Sequence, residues 1–284
     1  MTQYNLQAQM KTTECKAKAD ALADAQAWTA KNGGRILTAP EVQLVTLRDA
    51  KNGKYRQNWY TSTTEELIGK TAKGSGVVLY GSNVLLGTPK KIRSALARGV
   101  TGIGAGKLNP KEFKTVLSGK LPNGKSIPVF EVSYLKNNEG FAPNGVYAVS
   151  IPLEDARKAE SGYHNVDSLL ENGRFIARAG SMPVAKAIVQ AAKKAGYETL
   201  GDYAWVLKHI DLEDGAQGLL VAVLNRGNGF GDDDNLGSDG SFVWVAPEAP
   251  VAQNSDTALQ VKARINAGLR SQIEGLEALL KELQ

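Results

Sequence analysis

Asp232, Asp233, Asp234 and Asp239, interspersed with Asn228 and Asn235, form the chain's densest set of side chains able to hold a metal. Hard oxygen ligands at short spacing are what a calcium site uses. A twelve-residue calcium loop asks for glycine at its sixth position and a carboxylate at its twelfth. Counting from Asp233 puts Ser238 and Trp244 there, and starting one residue to either side also lacks the final glutamate. The regular loop fails, and an irregular oxygen-ligand site remains as the alternative. No cofactor is expected, with calcium the one candidate. His164 and His209 stand outside any HxH or HxxxH pair. Cys15 is the single cysteine, so no internal disulfide framework and no multi-cysteine metal cage is available. "TGIGAGKL" (101–108) departs from a phosphate loop at both ends, with Thr101 in place of glycine and Leu108 in place of Ser or Thr. Its glycines suit a turn. The chain has no G-x-S-x-G elbow.

The same acidic stretch dominates the charge map. From His209 to Gly240, seven acids face one base, a net of −6, so a chain of +5 overall carries +11 elsewhere. The Lys and Arg outside are scattered singly, without the basic-aromatic clusters of a nucleic-acid surface, and nucleic acid is not expected as a partner. With 42% hydrophobic and 22% charged residues, the 284-residue chain can build a sizeable core. Its N-terminus is polar and alanine-rich, without the apolar centre of a signal peptide. No run reaches the roughly 18 apolar residues of a membrane span. A cytoplasmic or virion-associated location is expected.

The elements that must position this stretch alternate in type. Residues 13–31 read as an alanine-rich helix stopped by "NGG". Ile36 and Leu37 suit a short strand, Thr38 a cap, and Pro40 the first turn of a helix over 41–50. "NWYTSTTEE" (58–66) reads as a strand that closes on a capping pattern, with Trp59 and Tyr60 as packing residues. "GSGVVLYGSNVLL" (74–86) reads as a buried strand. "TPKKIRSALARG", "NPKEFKTVLSGKL" and "PVAKAIVQAAKKAGY" read as helices, and "SIPVFEVSYL" and "GVYAVSI" as strands. "LLVAVLN" and "FVWVA" are the last strands, with Phe242 and Trp244 on one face, Ser241 and Val243 on the other, and Phe242 directed into the core. Residues 247–256 read as a linker. Ile265, Leu269, Ile273, Leu276, Leu280 and Leu283 then give one amphipathic helix. It either packs on its own domain or forms a short coiled coil that makes a homo-oligomer.

Three stretches carry a resemblance. "GRILTAPEVQLV" and "NWYTSTTE" resemble paired segments of bacterial and viral C-type-lectin-like domains, including those of the formylglycine-generating-enzyme type. "GLLVAVLN" with "GSFVWVAPE" resembles the last hairpin of variable proteins encoded by diversity-generating retroelements. In those proteins, mutagenesis targeted to adenines alters codons such as those for Asn on a fixed scaffold. The resemblance implies an α+β fold: a C-type-lectin-like ligand-binding domain over 1–250 with small twisted sheets. It also implies an inserted middle region over 81–205, with the linker and C-terminal helix over 251–284. It implies non-catalytic binding of a protein or cell-surface ligand through a diversified polar face at 225–246. The contact residues would be Asn225, Arg226, Asn228, Phe230, Asp232, Asp233, Asp234, Asn235, Ser238, Asp239, Ser241 and Trp244. Formylglycine-generating enzymes work with a cysteine pair, and Cys15 is alone, so that activity is not expected. A metal-dependent enzyme using Asp232 to Asp234 and a viral or cell-surface assembly protein are the other readings of the residues.

Overall fold

A computed structural model describes residues 10–48, 59–224, 229–231 and 235–245. All of them belong to one unit, Met1–Ala246. The linker and amphipathic helix expected over 247–284 lie outside the described residues.

The chain opens with β1 (Met10–Thr12), β2 (Lys16–Ala17) and α1 (Lys18–Asn32), then β3 (Arg35–Ile36) and α2 (Ala39–Arg48). β4 (Tyr60–Lys70) and β5 (Gly76–Ser82) form a long antiparallel pair. The middle region runs α3 (Pro89–Arg98), β6 (Gly106–Lys107), α4 (Pro110–Leu117), β7 (Val129–Glu131), α5 (Val132–Asn137), β8 (Ala148–Pro152) and α6 (Leu153–Lys158). It continues through β9 (Gly162–Asn165), α7 (Gly173–Ala179), α8 (Met182–Lys194), β10 (Thr199–Asp202) and α9 (Trp205–His209). β11 (Gln217–Val223), β12 (Gly229–Gly231), β13 (Asp239–Gly240) and β14 (Val243–Val245) close the described chain.

Among the described residues, nine strands make the main sheet, in the order β7-β8-β5-β4-β11-β12-β10-β9, with β6 also on β11. β1-β14-β3 and β13-β2 make two small sheets that draw the N-terminal residues to the C-terminal ones. The α+β class expected from the sequence is the class observed. The region 81–205 supplies β7 to β10 to the main sheet and α7 and α8 to its cover, so it is built into the core.

Alternation sorts the side chains of the central strands into two cores. Ile68, Val78, Tyr80, Leu219, Val221 and Val223 face α2, α7 and α8, which present Val42, Val45, Phe175, Ile188 and Val189. Leu67, Leu79 and Leu220 face α1, α3 and α4, which present Leu22, Ala25, Ile92, Phe113 and Val116. With both faces covered, β4 and β11 are buried along almost their whole length. For β11 this explains the unbroken apolar run "LLVAV". For β4 it creates a problem, because its first half is polar.

The strand does not close on a cap after Thr64, as its pattern predicts. It continues to Lys70, and every polar side chain from Ser62 to Glu66 finds a partner indoors. Ser62 Oγ donates to the Val221 carbonyl at 2.7 Å, and Thr64 Oγ1 accepts from the Ala39 amide at 2.9 Å. Glu65 accepts from the amides of Val84 and Leu85 at 2.8 and 2.6 Å. These bonds fold Asn83–Gly87 into a turn, so the strand expected over 74–86 ends at Ser82. "SIPVFEVSYL" departs too: only Val129–Glu131 is strand, and Val132–Asn137 turns into a helix whose Val132 and Leu135 are buried. Trp59 is 51% exposed while Tyr60 is buried, so only the second aromatic of the pair packs. Tyr60 is the first residue of β4 and lies opposite Val223, whereas Trp59 precedes the ladder.

Candidate functional site

The polar C-terminal stretch is interrupted by core residues. β11 ends at Val223, and Leu224, which follows it, is buried. The Leu224 amide bonds to the Gly229 carbonyl at 3.0 Å, so residues 225–228 connect two backbone positions already tied together. β12 then lies between β11 and β10, antiparallel to the first and parallel to the second. Gly229 has φ 133°, and a Cβ there would come within 1.8 Å of the Gly201 carbonyl oxygen. Only glycine allows this approach of the two backbones.

After residues 232–234 the chain is gripped again. Leu236 is buried, and its amide donates to the Gly104 carbonyl at 2.9 Å. The glycines of "TGIGAG" therefore do make a turn, and the turn has a use: Gly104 (φ 90°) is so close to Asn235 that a Cβ would meet it at 2.9 Å. Asn235 Oδ1 accepts from the Gly237 amide at 2.8 Å, closing an Asx turn. Beneath it, Lys18 is 1% exposed. Its ammonium donates to the Asn235 carbonyl at 2.5 Å and to Ser238 Oγ at 2.6 Å. Asp239 and Gly240 pair with Ala17 and Lys16, and Phe242 and Trp244 enter the core, where Trp244 meets Trp28 at 5.4 Å between ring centroids.

This geometry sorts the twelve expected contact residues. Asn225, Arg226, Asn228, Asp232, Asp233 and Asp234 lie outside the described residues. Asp239 is exposed, with its backbone in β13. Asn235 and Ser238 are exposed but hold the turn together with their side chains. Phe230 is fully buried against Phe175, Trp244 is 6% exposed and Ser241 is 8% exposed. Those three are corrected to structural residues: Phe230 lies in β12 and Trp244 in β14, the Ser241 carbonyl accepts from the Thr61 amide, and all three are buried. Phe242 is in the core as expected.

Sequence reading missed a second constellation. Arg174 and Arg178, one turn apart on α7, are both buried, as are Glu66 on β4 and Asp202 on β10. Arg174 Nε donates to Asp202 Oδ2 at 2.8 Å, and Asn172 donates to the same oxygen at 2.8 Å. Arg178 Nη1 donates to Asp202 Oδ1 at 2.7 Å and Nη2 to Glu66 Oε2 at 2.8 Å. The arginine fork thereby joins two strands that are not neighbours in the sheet. Its signal in the sequence was the pair of arginines at i and i+4 inside "GRFIARAG", where every other helical position is small or apolar.

Arg178 also borders a cavity of about 100 Å³, lined by Thr38, Thr64, Tyr80, Ser82 and Tyr147 among others. Burial, and then the Glu66 charge, push the Tyr80 phenol well above its usual pKa, so it stays protonated. Among the described residues, no group of three or more His, Cys, Asp and Glu could hold a metal ion. No helix of the described residues is long and apolar enough to cross a membrane.

The arrangement is that of a C-type lectin fold. The structure superposes on a solved structure described as the accommodation of massive sequence variation in Nanoarchaeota by the C-type lectin fold, with a TM-score of 0.63 and 22% identity. The match covers 84% of this chain and 99% of that one. No family model matches the sequence, and no curated protein does.

Proposed function

We propose that the protein binds a protein or cell-surface ligand, without catalysis, through polar side chains displayed at the C-terminal end of its fold. The observation that carries this reading is the spacing of anchors along 224–242. Leu224, Phe230, Leu236 and Phe242 are buried, and the polar residues fall between them. A stretch fastened at such short intervals can change its intervening side chains without moving its backbone, which is what a variable binding face requires. The solved structure of the same fold is one in which massive sequence variation is accommodated, and this supports the reading. Diversification of residues 225–246 in this chain belongs to the same proposal.

A library with Asn225, Arg226, Asn228, Asp232, Asp233, Asp234 and Asp239 randomised, displayed on yeast and selected against ubiquitin as a defined target, tests it. Most members should resist protease as the parent does, and binders of micromolar affinity or better should emerge. A library that is mostly protease-sensitive, or that gives no binder above the parent, contradicts the proposal.

A further inference from the structure

Residues 83–130 hold nine bases and one acid, Glu112, a net of +8 in a chain of +5. Spaced along the sequence, these bases are gathered by the fold. α3 and α4 bury Ile92, Ala95, Phe113 and Val116 in one core, on the same face of the main sheet. Helical spacing then turns Lys90, Arg93 and Arg98 of α3, and Lys111 and Lys114 of α4, to the outside, where all five are exposed. The first turns of the two helices are tied together, with Lys91 donating to Glu112 at 2.7 Å. At the end of α4 the Lys120 amide donates to the Thr115 carbonyl at 3.1 Å. Lys120 also bridges to Ser126, and the Leu121 amide closes the turn between them on the Lys125 carbonyl at 2.8 Å. Lys120 and Lys125 are both exposed there. Little of this charge is neutralised. Lys91 has Glu112 and Arg93 has Asp20 of α1. Among the described residues, no carboxylate pairs with Lys90, Arg98, Lys111, Lys114, Lys120 or Lys125. Like charges gathered on one face repel each other, and an anionic partner relieves that repulsion.

Three features choose among anionic partners. Five of those six bases are lysines, compact hydrated charges that suit a diffuse field of anions more than bidentate recognition of one group. Residues 88–126 contain one aromatic, Phe113, and it is buried, so the face offers no ring on which nucleotide bases could stack. Val100, which follows the end of α3 and bridges to Gly106 beside Lys107, is 42% exposed. An exposed apolar side chain among bases suits the headgroup boundary of a bilayer. We infer that the face built by α3, α4 and the 120–125 turn docks on the surface of an anionic lipid bilayer, with its lysines against the charged headgroups. The apolar sides of both helices are already in the core, so the chain lies on the bilayer by charge and inserts no helix. This surface does not depend on the binding reading above.

Co-flotation of the full-length chain with phosphatidylcholine vesicles, with and without phosphatidylserine, tests the surface. The chain should float with the phosphatidylserine vesicles at low salt, leave them at high salt and ignore the neutral ones. Lys111→Glu, Lys114→Glu and Lys120→Glu together should weaken partitioning about tenfold or more, because each base near an anionic surface adds to the attraction. Their melting temperature should be unchanged, and glutamine at the same three positions should act in the same direction to a smaller degree. Charge reversal at Lys193, Lys194 and Lys208 alters the net charge equally, on α8 and α9, which pack on the other core, and should weaken partitioning far less. No flotation with the phosphatidylserine vesicles, equal flotation with the neutral ones, or equal losses in the two charge-reversed variants overturns the inference. So does transfer of the chain from the vesicles to a mixed-sequence DNA duplex added at equal phosphate, which gives the face to nucleic acid instead.

Discussion

Replacing Arg178 by Ala should cost about 3–5 kcal/mol of folding stability, the loss expected when one partner of a buried ion pair is removed. Glu66 and Asp202 are fully buried, and Arg178 bonds to both. Without it, Asp202 keeps Arg174, but Glu66 loses its cation in a place water does not reach. Unpaired charge in a low-dielectric interior is the costly case; the intact pair can be close to neutral in net stability. A double replacement of Arg178 and Glu66 by apolar residues of similar volume, which leaves Asp202 paired with Arg174, should therefore lose less than the single Arg178→Ala. Urea unfolding of both variants decides it. A single-variant loss below about 1 kcal/mol means that the fork is not what holds β4 to β10.

The second large effect is a pH dependence. Burial lifts the Glu65 carboxyl to about 7, against the bonds from Val84 and Leu85 that favour its charged form. The ordinary value is 4.5. Between these two values the folded chain holds a proton that the unfolded chain has released. Stability from this group is therefore complete below pH 4.5 and declines as pH rises through about 7. The gap corresponds to about 3 kcal/mol. Glu65→Gln removes the titration and also puts an amide where a carboxylate oxygen accepted a backbone N–H, so its absolute stability falls. The diagnostic is the slope: the difference between parent and variant should shrink by about 3 kcal/mol from pH 4.5 to pH 8. A difference that stays constant over that range contradicts a raised Glu65.

Both effects come from "TSTTEE", where the sequence was hardest to read. Its polar residues suggested a strand ending on a cap because their partners are remote: Glu66 meets Arg178, 112 positions away, and Glu65 meets a turn 19 and 20 positions on. Periodicity is a local signal and does not carry such pairings. Local chemistry was legible where the partner was near. In "LTAPE", Glu41 Oε2 accepts from the Thr38 amide and hydroxyl at 3.0 and 2.9 Å, so Thr38 and Glu41 close the start of α2 much as a capping box does. The apolar runs of β11 and β14 were equally plain. In the C-terminal stretch, composition showed a polar run but not its anchors. "GFG" looks like loop, and its burial depends on Gly201 leaving room for Gly229. Tyr203, whose amide bonds to the Phe230 carbonyl, follows β10 far back in the chain, and no pattern in 225–246 could announce it.

One comparison of melting temperatures tests the displayed stretch most directly. Asn228, Asp232, Asp233 and Asp239 replaced together by Ser should leave the midpoint within a few degrees of the parent, since changes at displayed positions stay within about 0.5 kcal/mol each. Lys18→Met, which strips the donor from Asn235 and Ser238, should lower it clearly, by the equivalent of about 1–3 kcal/mol. That ordering is what a fastened stretch with free side chains predicts. If the fourfold Ser variant unfolds as readily as Lys18→Met or more so, the polar side chains are holding the fold and the display surface does not exist.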